Sequence, residues 1–170
     1  MKFIPYSRYT ITTYLTENEV MQKLSEQIEP VIPNRYFKNE VIYEKPYEGT
    51  ISNQYFEIKR ISLISHKSPT IITGCIQKKS GKTEIEIKMR LSVFTLILMS
   101  FFLILILTFY YEIIMKLIKS NTIEPVGLIG SFFLFSIGFI LPLWTFNYES
   151  EKSMRFFSDL LEEENSGKNY

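Results

Sequence analysis

Few residues in this chain have the chemistry of an active site. There is one histidine, His66, and one cysteine, Cys75. A nucleophilic dyad needs an imidazole held against a hydroxyl or thiol. His66 falls in the polar turn Ser65-His66-Lys67-Ser68-Pro69, and nothing in the spacing brings Cys75 or a serine to it. The pattern predicts an exposed turn residue at His66 and a small buried apolar residue at Cys75. A lone cysteine also excludes an intramolecular disulfide. A zinc site would have to complete its ligand set with carboxylates, and no two candidate ligands have the spacing such a site uses. Phosphate-cradling loops need clustered glycines ahead of a helix. Gly49, Gly74 and Gly81 are instead scattered through strand-like sequence. These residues describe a non-enzymatic protein with no catalytic, cofactor-binding or metal-binding positions.

The elements that would position any such group divide into a polar half and an apolar half. Leu91–Tyr111 and Val126–Phe146 carry no charged residue. As a helix the first run would reach roughly 31 Å at 1.5 Å per residue, close to the hydrocarbon thickness of a bilayer. Two such runs with a short polar connection predict a transmembrane helical hairpin over 91–148, with helices at about 91–115 and 126–146. The cores of both runs lack Asp, Glu, Lys, Arg and His, the groups a proton relay or ion pathway uses. Pro142 reads as a packing or boundary feature near the end of the second helix. Tyr110, Tyr111, Trp144 and Tyr148 fall at the run ends, where amphipathic rings favour the headgroup layer.

Charge bounds the partners. The chain carries a net charge of +1, which gives no electrostatic case for a nucleic acid. Lys78, Lys79, Lys82, Lys88 and Arg90 precede the hairpin, and Lys152 and Arg155 follow it. The connecting loop holds only Lys116 and Lys119. Seven cations against two predict both termini in the cytoplasm of a multi-pass protein of the plasma (inner) membrane. The N-terminal sequence MKFIPYSRYTITTYL lacks the apolar core and cleavage site of a signal peptide, so the first hairpin helix is expected to direct insertion.

Residues 1–90 read as a cytoplasmic α+β domain. Tyr9, Ile11, Thr13 and Leu15 alternate as a strand does. Thr16-Glu17-Asn18-Glu19 is a capping box, so a helix is expected at 17–29. Its stripe is Val20, Leu24 and Ile28, and Pro30 and Pro33 stop it. Aromatics at Tyr36, Phe37, Tyr43 and Tyr47 predict an ordered loop with a short strand at 41–44. Phe56 and Ile58 alternate with Glu57 and Lys59, and the phase shift to Ile61 and Leu63 predicts a bulge near Arg60. Thr70–Gln77 reads as a strand with Gly74 at a close approach. Lys78–Lys82 is a hairpin loop with Gly81 at positive φ. In Thr83–Leu91 the apolar Ile85, Ile87, Met89 and Leu91 alternate with Glu84, Glu86, Lys88 and Arg90. No linker separates that strand from the first apolar run.

The expected architecture is therefore an antiparallel sheet with one packed helix, joined to the transmembrane hairpin and to a C-terminal amphipathic helix over 149–164. In that last helix Ser153, Phe156, Phe157, Leu160 and Leu161 share a face, which suits docking on the domain better than lying on lipid. Residues 165–170 are expected to be a disordered tail.

The pieces Thr16–Glu19, Gly49–Ile51, Phe56–Arg60, Ile72–Ile76 and Ile85–Leu91 together resemble a set of uncharacterised small bacterial two-helix membrane proteins. Those proteins tend to read Arg-Asn-Ser in the turn where this chain has His66-Lys67-Ser68-Pro69. The resemblance implies a shared architecture with an N-terminal cytoplasmic α+β domain, and no activity.

The partners expected are the lipid bilayer and a protein or second copy. Gly130, Leu134 and Gly138 share one helix face, and Gly127 with Ser131 forms a small-xxx-small pair. Either face serves packing of the hairpin's own helices or association with another chain. The function expected is a membrane interaction or regulatory protein, a subunit of a larger membrane assembly. The alternative is a membrane-tethered domain binding a small molecule or lipid in an apolar cavity under the helix.

Overall fold

The computed structural model describes residues 4–31, 45–52, 54–61, 68–79, 81–120 and 125–162. The turn holding His66, the strand expected at 41–44 and the tail 165–170 lie outside them. Six strands form one sheet in the order β1-β6-β5-β4-β3-β2. They are β1 (Tyr6–Thr13), β2 (Ile28–Pro30), β3 (Tyr47–Ser52), β4 (Tyr55–Arg60), β5 (Thr70–Lys79) and β6 (Lys82–Leu91). The helices are α1 (Glu17–Gln27), α2 (Val93–Ser120), α3 (Pro125–Phe135) and α4 (Leu141–Glu162). The protein is α+β, as its sequence predicts.

The sheet is mixed, not purely antiparallel. β3 to β6 form a meander and β1 adds antiparallel to β6, but β2 pairs parallel with β3. Parallel neighbours need a connection of about a dozen residues or more, and the chain between Pro30 and Tyr47 supplies it. The helix start is as read: the Glu19 amide donates to Thr16 Oγ1 at 3.3 Å, and the Thr16 amide donates to Glu19 Oε2 at 2.7 Å. The helix stops at Gln27, two residues short of the expected end. Pro30 biases the preceding residue to extended backbone, and the chain turns extended at Ile28 (φ −117°, ψ 127°), which joins the sheet as β2. The Tyr47–Ser52 to Tyr55–Arg60 pairing keeps its register to Arg60, whereas the pairing with β5 stops at Lys59 and the Arg60 carbonyl accepts from the Ser68 amide instead; Leu63, on which the expected phase shift rests, lies outside the described residues.

One sheet face is apolar. Ile11, Phe56, Ile58, Ile72, Ile76, Ile85, Ile87 and Met89 are buried on it, together with Val20 and Leu24 of α1 and Phe146, Phe157 and Leu161 of α4. Two helices cover this face, α1 and the C-terminal α4. α1 touches β2, β3 and β5; α4 touches β1, β5 and β6. Two glycines let the layers close. A Cβ at Gly74 would sit 2.0 Å from the Phe56 ring, and one at Gly49 would sit 2.2 Å from the Glu57 carbonyl. Gly81 turns the β5–β6 hairpin at φ +80°.

α2 leaves the sheet abruptly. Ser92 follows β6, its Oγ accepts from the Thr95 amide at 3.2 Å, and its own amide donates to the Pro69 carbonyl at 2.7 Å. This is a side-chain cap on a helix start. The return rod runs without interruption from Pro125 to Glu162, so the expected second apolar helix and amphipathic helix are one. Between α3 and α4 it opens into a π-helical turn, Ser136–Ile140, where the Leu141 amide donates to the Ser136 carbonyl. Pro142 explains the widening. It has no N–H, and its ring would strike the carbonyl of Gly138 in a regular helix. Pro142 thus sits at the boundary between the π-helical turn and α4, within a continuous rod rather than at its end. Helices α2 and α3–α4 are both long and apolar enough to cross a membrane.

Candidate functional site

Two surfaces carry polar groups in fixed positions: the seam between α4 and the sheet, and the open sheet face.

The seam is apolar at both ends and polar in the middle. Phe146, Glu149, Ser153, Phe157 and Leu161 recur at the three- and four-residue steps of a helix face and are all buried. The Ser68 hydroxyl donates to the Glu149 carboxylate. The Tyr47 phenol donates to Ser153 Oγ at 3.1 Å, and the Thr13 hydroxyl donates to the Leu161 carbonyl at 3.0 Å. The Tyr47 ring also packs on Phe156 and Phe157 at 5.0 and 5.7 Å. Burial pushes the Tyr47 phenol above its ordinary value, with the bond to Ser153 acting the other way. Burial raises the Tyr9 phenol as well. These groups fix the helix against the sheet.

On the open face the strand register sorts side chains into rows. Nearest the α2 junction lie Tyr6, Arg90, Ile71, Lys59 and Glu48, side by side across five strands. The next row is Arg8, Lys88, Thr73, Glu57 and Thr50, and the third is Thr10, Glu86, Cys75, Tyr55 and Ser52. Glu86 Oε1 forms ion pairs with Arg8 at 2.8 Å and with Lys88 at 2.9 Å. The Lys88 ammonium and the Arg8 charge hold its carboxyl below the usual carboxylate range. A groove of about 260 Å³ runs between Thr50, Ser52, Tyr55, Glu57 and Thr73.

Cys75 is half-buried on this open face, not in the core. Gly74 and Ile76 take the inward positions on either side of it, so the strand's alternation turns the thiol outward. It lies beside Tyr55, whose phenol is raised by the hydrogen bond they share, and it accepts from Gln77 at 3.4 Å. Among the described residues, no group of three or more His, Cys, Asp or Glu is brought together.

The small-residue faces separate. Gly138 meets α2 closely: a Cβ there would lie 2.5 Å from Phe102. Ser131 is also buried, whereas Gly130 has nothing within 4 Å of its Cβ position. The surroundings of Gly127 lie outside the described side chains. The hairpin's own packing therefore takes up Gly138.

The sequence reading placed Ser153 on the docking face but missed the Glu149 pin and the place of Lys59 beside Ile71 and Arg90. The Glu149 pin interrupts an apolar stripe and so looks like an error in it. The row exists only through register between strands far apart in sequence. Comparison with protein-family models, curated proteins and solved structures finds no match.

Proposed function

We propose that this chain is a non-catalytic integral membrane protein that holds a cytoplasmic sheet domain in fixed orientation on the membrane surface, as an interaction or regulatory subunit of a larger assembly. Both termini are cytoplasmic in this reading, and the 121–124 connection lies on the far side. The observation that carries it is the pair of rigid junctions at one end of the sheet. Leu91 passes through the capping residue Ser92 into α2, and α4 runs on from the apolar rod to lie against the sheet. Neither junction has the composition of a flexible tether. Ile97, Phe101, Ile104, Leu107 and Ile118 of α2 are exposed, as are Ile129, Phe132 and Phe133 of α3. A bilayer would cover apolar surface on that scale.

The alternative of an apolar ligand cavity under a helix finds less support. The aromatics that would line it pack on one another, with Phe56 and Phe157 centroids 6.1 Å apart and Phe156 edge-on to Phe157 at 5.5 Å.

The test is co-purification from native membranes of the full chain and of a variant with Gly-Gly-Ser-Gly inserted after Leu91. The expected result is a stoichiometric protein partner that the insertion weakens while membrane abundance stays the same. A bound lipid or metabolite with no protein, or a partner retained undiminished by the variant, would overturn the reading. A reporter active only outside the cytoplasm, fused after residue 170, should stay silent.

A further inference from the structure

We infer that the row of the open face nearest the α2 junction is a headgroup-binding edge, selective for anionic phospholipids. The inference rests on the membrane reading above. Arg90 and Lys59 flank Ile71 in that row, so their backbones are two strand spacings apart, about 10 Å. Neither has a carboxylate within ion-pair distance among the described residues. The cations of the second row differ, because Arg8 and Lys88 are both held by Glu86. Tyr6 pairs with Arg90 at the other end of the row and is 46% exposed, and Ile4 just before it is 74% exposed. An aromatic, an aliphatic side chain and two uncommitted cations at one edge suit the boundary between headgroups and water.

Placement supplies the second argument. Leu91 and Ser92 begin the apolar helix α2, and Arg90 is the residue before them. Ser68, which holds α4 through Glu149, lies at the same end of β5. The two rods thus leave the sheet beside this row, and a bilayer around the rods would lie against it. The acidic groups of the face stand farther back or to one side. Glu57 and Glu86 are in the second and third rows, and Glu48 closes the first row away from Arg90. In the two rows nearest the junction, Arg90, Lys59, Arg8 and Lys88 outnumber Glu48 and Glu57, so the part of the face beside the bilayer carries an excess of cations, as an anionic leaflet favours.

The experiment uses the full chain in phosphatidylcholine nanodiscs doped with spin-labelled phosphatidylglycerol or spin-labelled phosphatidylcholine. The expected result is a preference for phosphatidylglycerol. It should fall on the order of fivefold with Arg90→Gln and by a similar factor again with Lys59→Gln added. Arg8→Gln should cost less, since Glu86 already engages that side chain. In the unaltered chain, about 1 M salt, where the Debye length is about 3 Å, should remove the preference. That arm stands even where a variant misfolds. Equal association of the two lipids, or a preference untouched by both substitutions and by salt, would overturn the inference. Inorganic phosphate at millimolar concentration abolishing the preference would also overturn it, because the site would then belong to a free anion. Carbonate washing of native membranes separates the two readings. A chain that washes off defeats the membrane reading itself, whereas one that stays and shows no lipid preference defeats only this edge.

Discussion

α1 and α4 lie on the same sheet face and hold it by different means. α1 is a local construction. Its capping box lies within four consecutive residues, and its contribution to the core is Val20 and Leu24, both fully buried. α4 is a long-range construction. Its lower half brings Phe157 and Leu161 into the same core, and its hydrogen-bond partners are Ser68, Tyr47 and Thr13, all far away in sequence. The difference shows what each helix is for. α1 closes the domain. α4 closes it and also ties it to an apolar rod, so a displacement of the rod must either move the domain or break the seam.

The largest expected effect comes from cutting the core contact of α4. Phe157 is 1% exposed and packs on Tyr47, Phe56 and Phe156. Phe157→Ala should destabilise the sheet domain by about 4 kcal/mol through the cavity it leaves. Amide exchange along β5 and β6 is the readout, because the single tryptophan, Trp144, is exposed and stacked on Tyr148 outside the core. Unchanged exchange would mean that the seam does not hold the core. Leu24→Ala should cost about 3 kcal/mol by the same mechanism. It should leave cross-linking between α4 and β1 intact if the two helices are independent in the way their contacts suggest. Equal loosening of α4 in both variants would erase the distinction between them.

The local device was legible in the sequence and the long-range one only in part. Thr16–Glu19 spells its own capping box, because both hydrogen bonds close within three residues. The alternation of Thr83–Leu91 gave the inward and outward sides of β6 for the same reason. The parallel place of β2 was not legible, since Ile28 completes the stripe of α1 equally well as a helical residue. Cys75 was misjudged because its chemistry suits a core while its parity along β5 points away from one. Pro142 looked like an end because the π-helical turn that accommodates it leaves no mark beyond Gly138 and the proline itself. The row of Arg90, Ile71 and Lys59 needed three strands in register, and no single stretch contains it.

A smaller effect tests the local side of the comparison. Thr16→Ala removes the hydroxyl that accepts from Glu19 and should cost about 1 kcal/mol, the usual consequence of losing an N-cap. Its signature is faster exchange confined to the first turn of α1. Exchange that rises along α4 as well would show the two helices to be coupled.

The smallest effect belongs to the open face and works through pH. Glu86 lies on the side that neither helix covers, between Arg8 and Lys88. The bond from Lys88, with the charge of Arg8, lowers its pKa from the ordinary 4.5, against a desolvation that acts to raise it. A carboxylate lowered in the folded state adds stability that is fully present above its unfolded value. That contribution is lost as pH falls through the lower, folded value. Acidification below about 4.5 should therefore remove a small increment from the unaltered protein. Glu86→Gln should lack the increment at neutral pH and show a correspondingly flatter acid limb. The pairs are exposed, so the difference should shrink further in high salt. The comparison is made by following the unfolding midpoint of both proteins from pH 7 to pH 3. Parallel curves would mean that the open face contributes nothing to stability, and that the fold rests entirely on the face beneath α1 and α4.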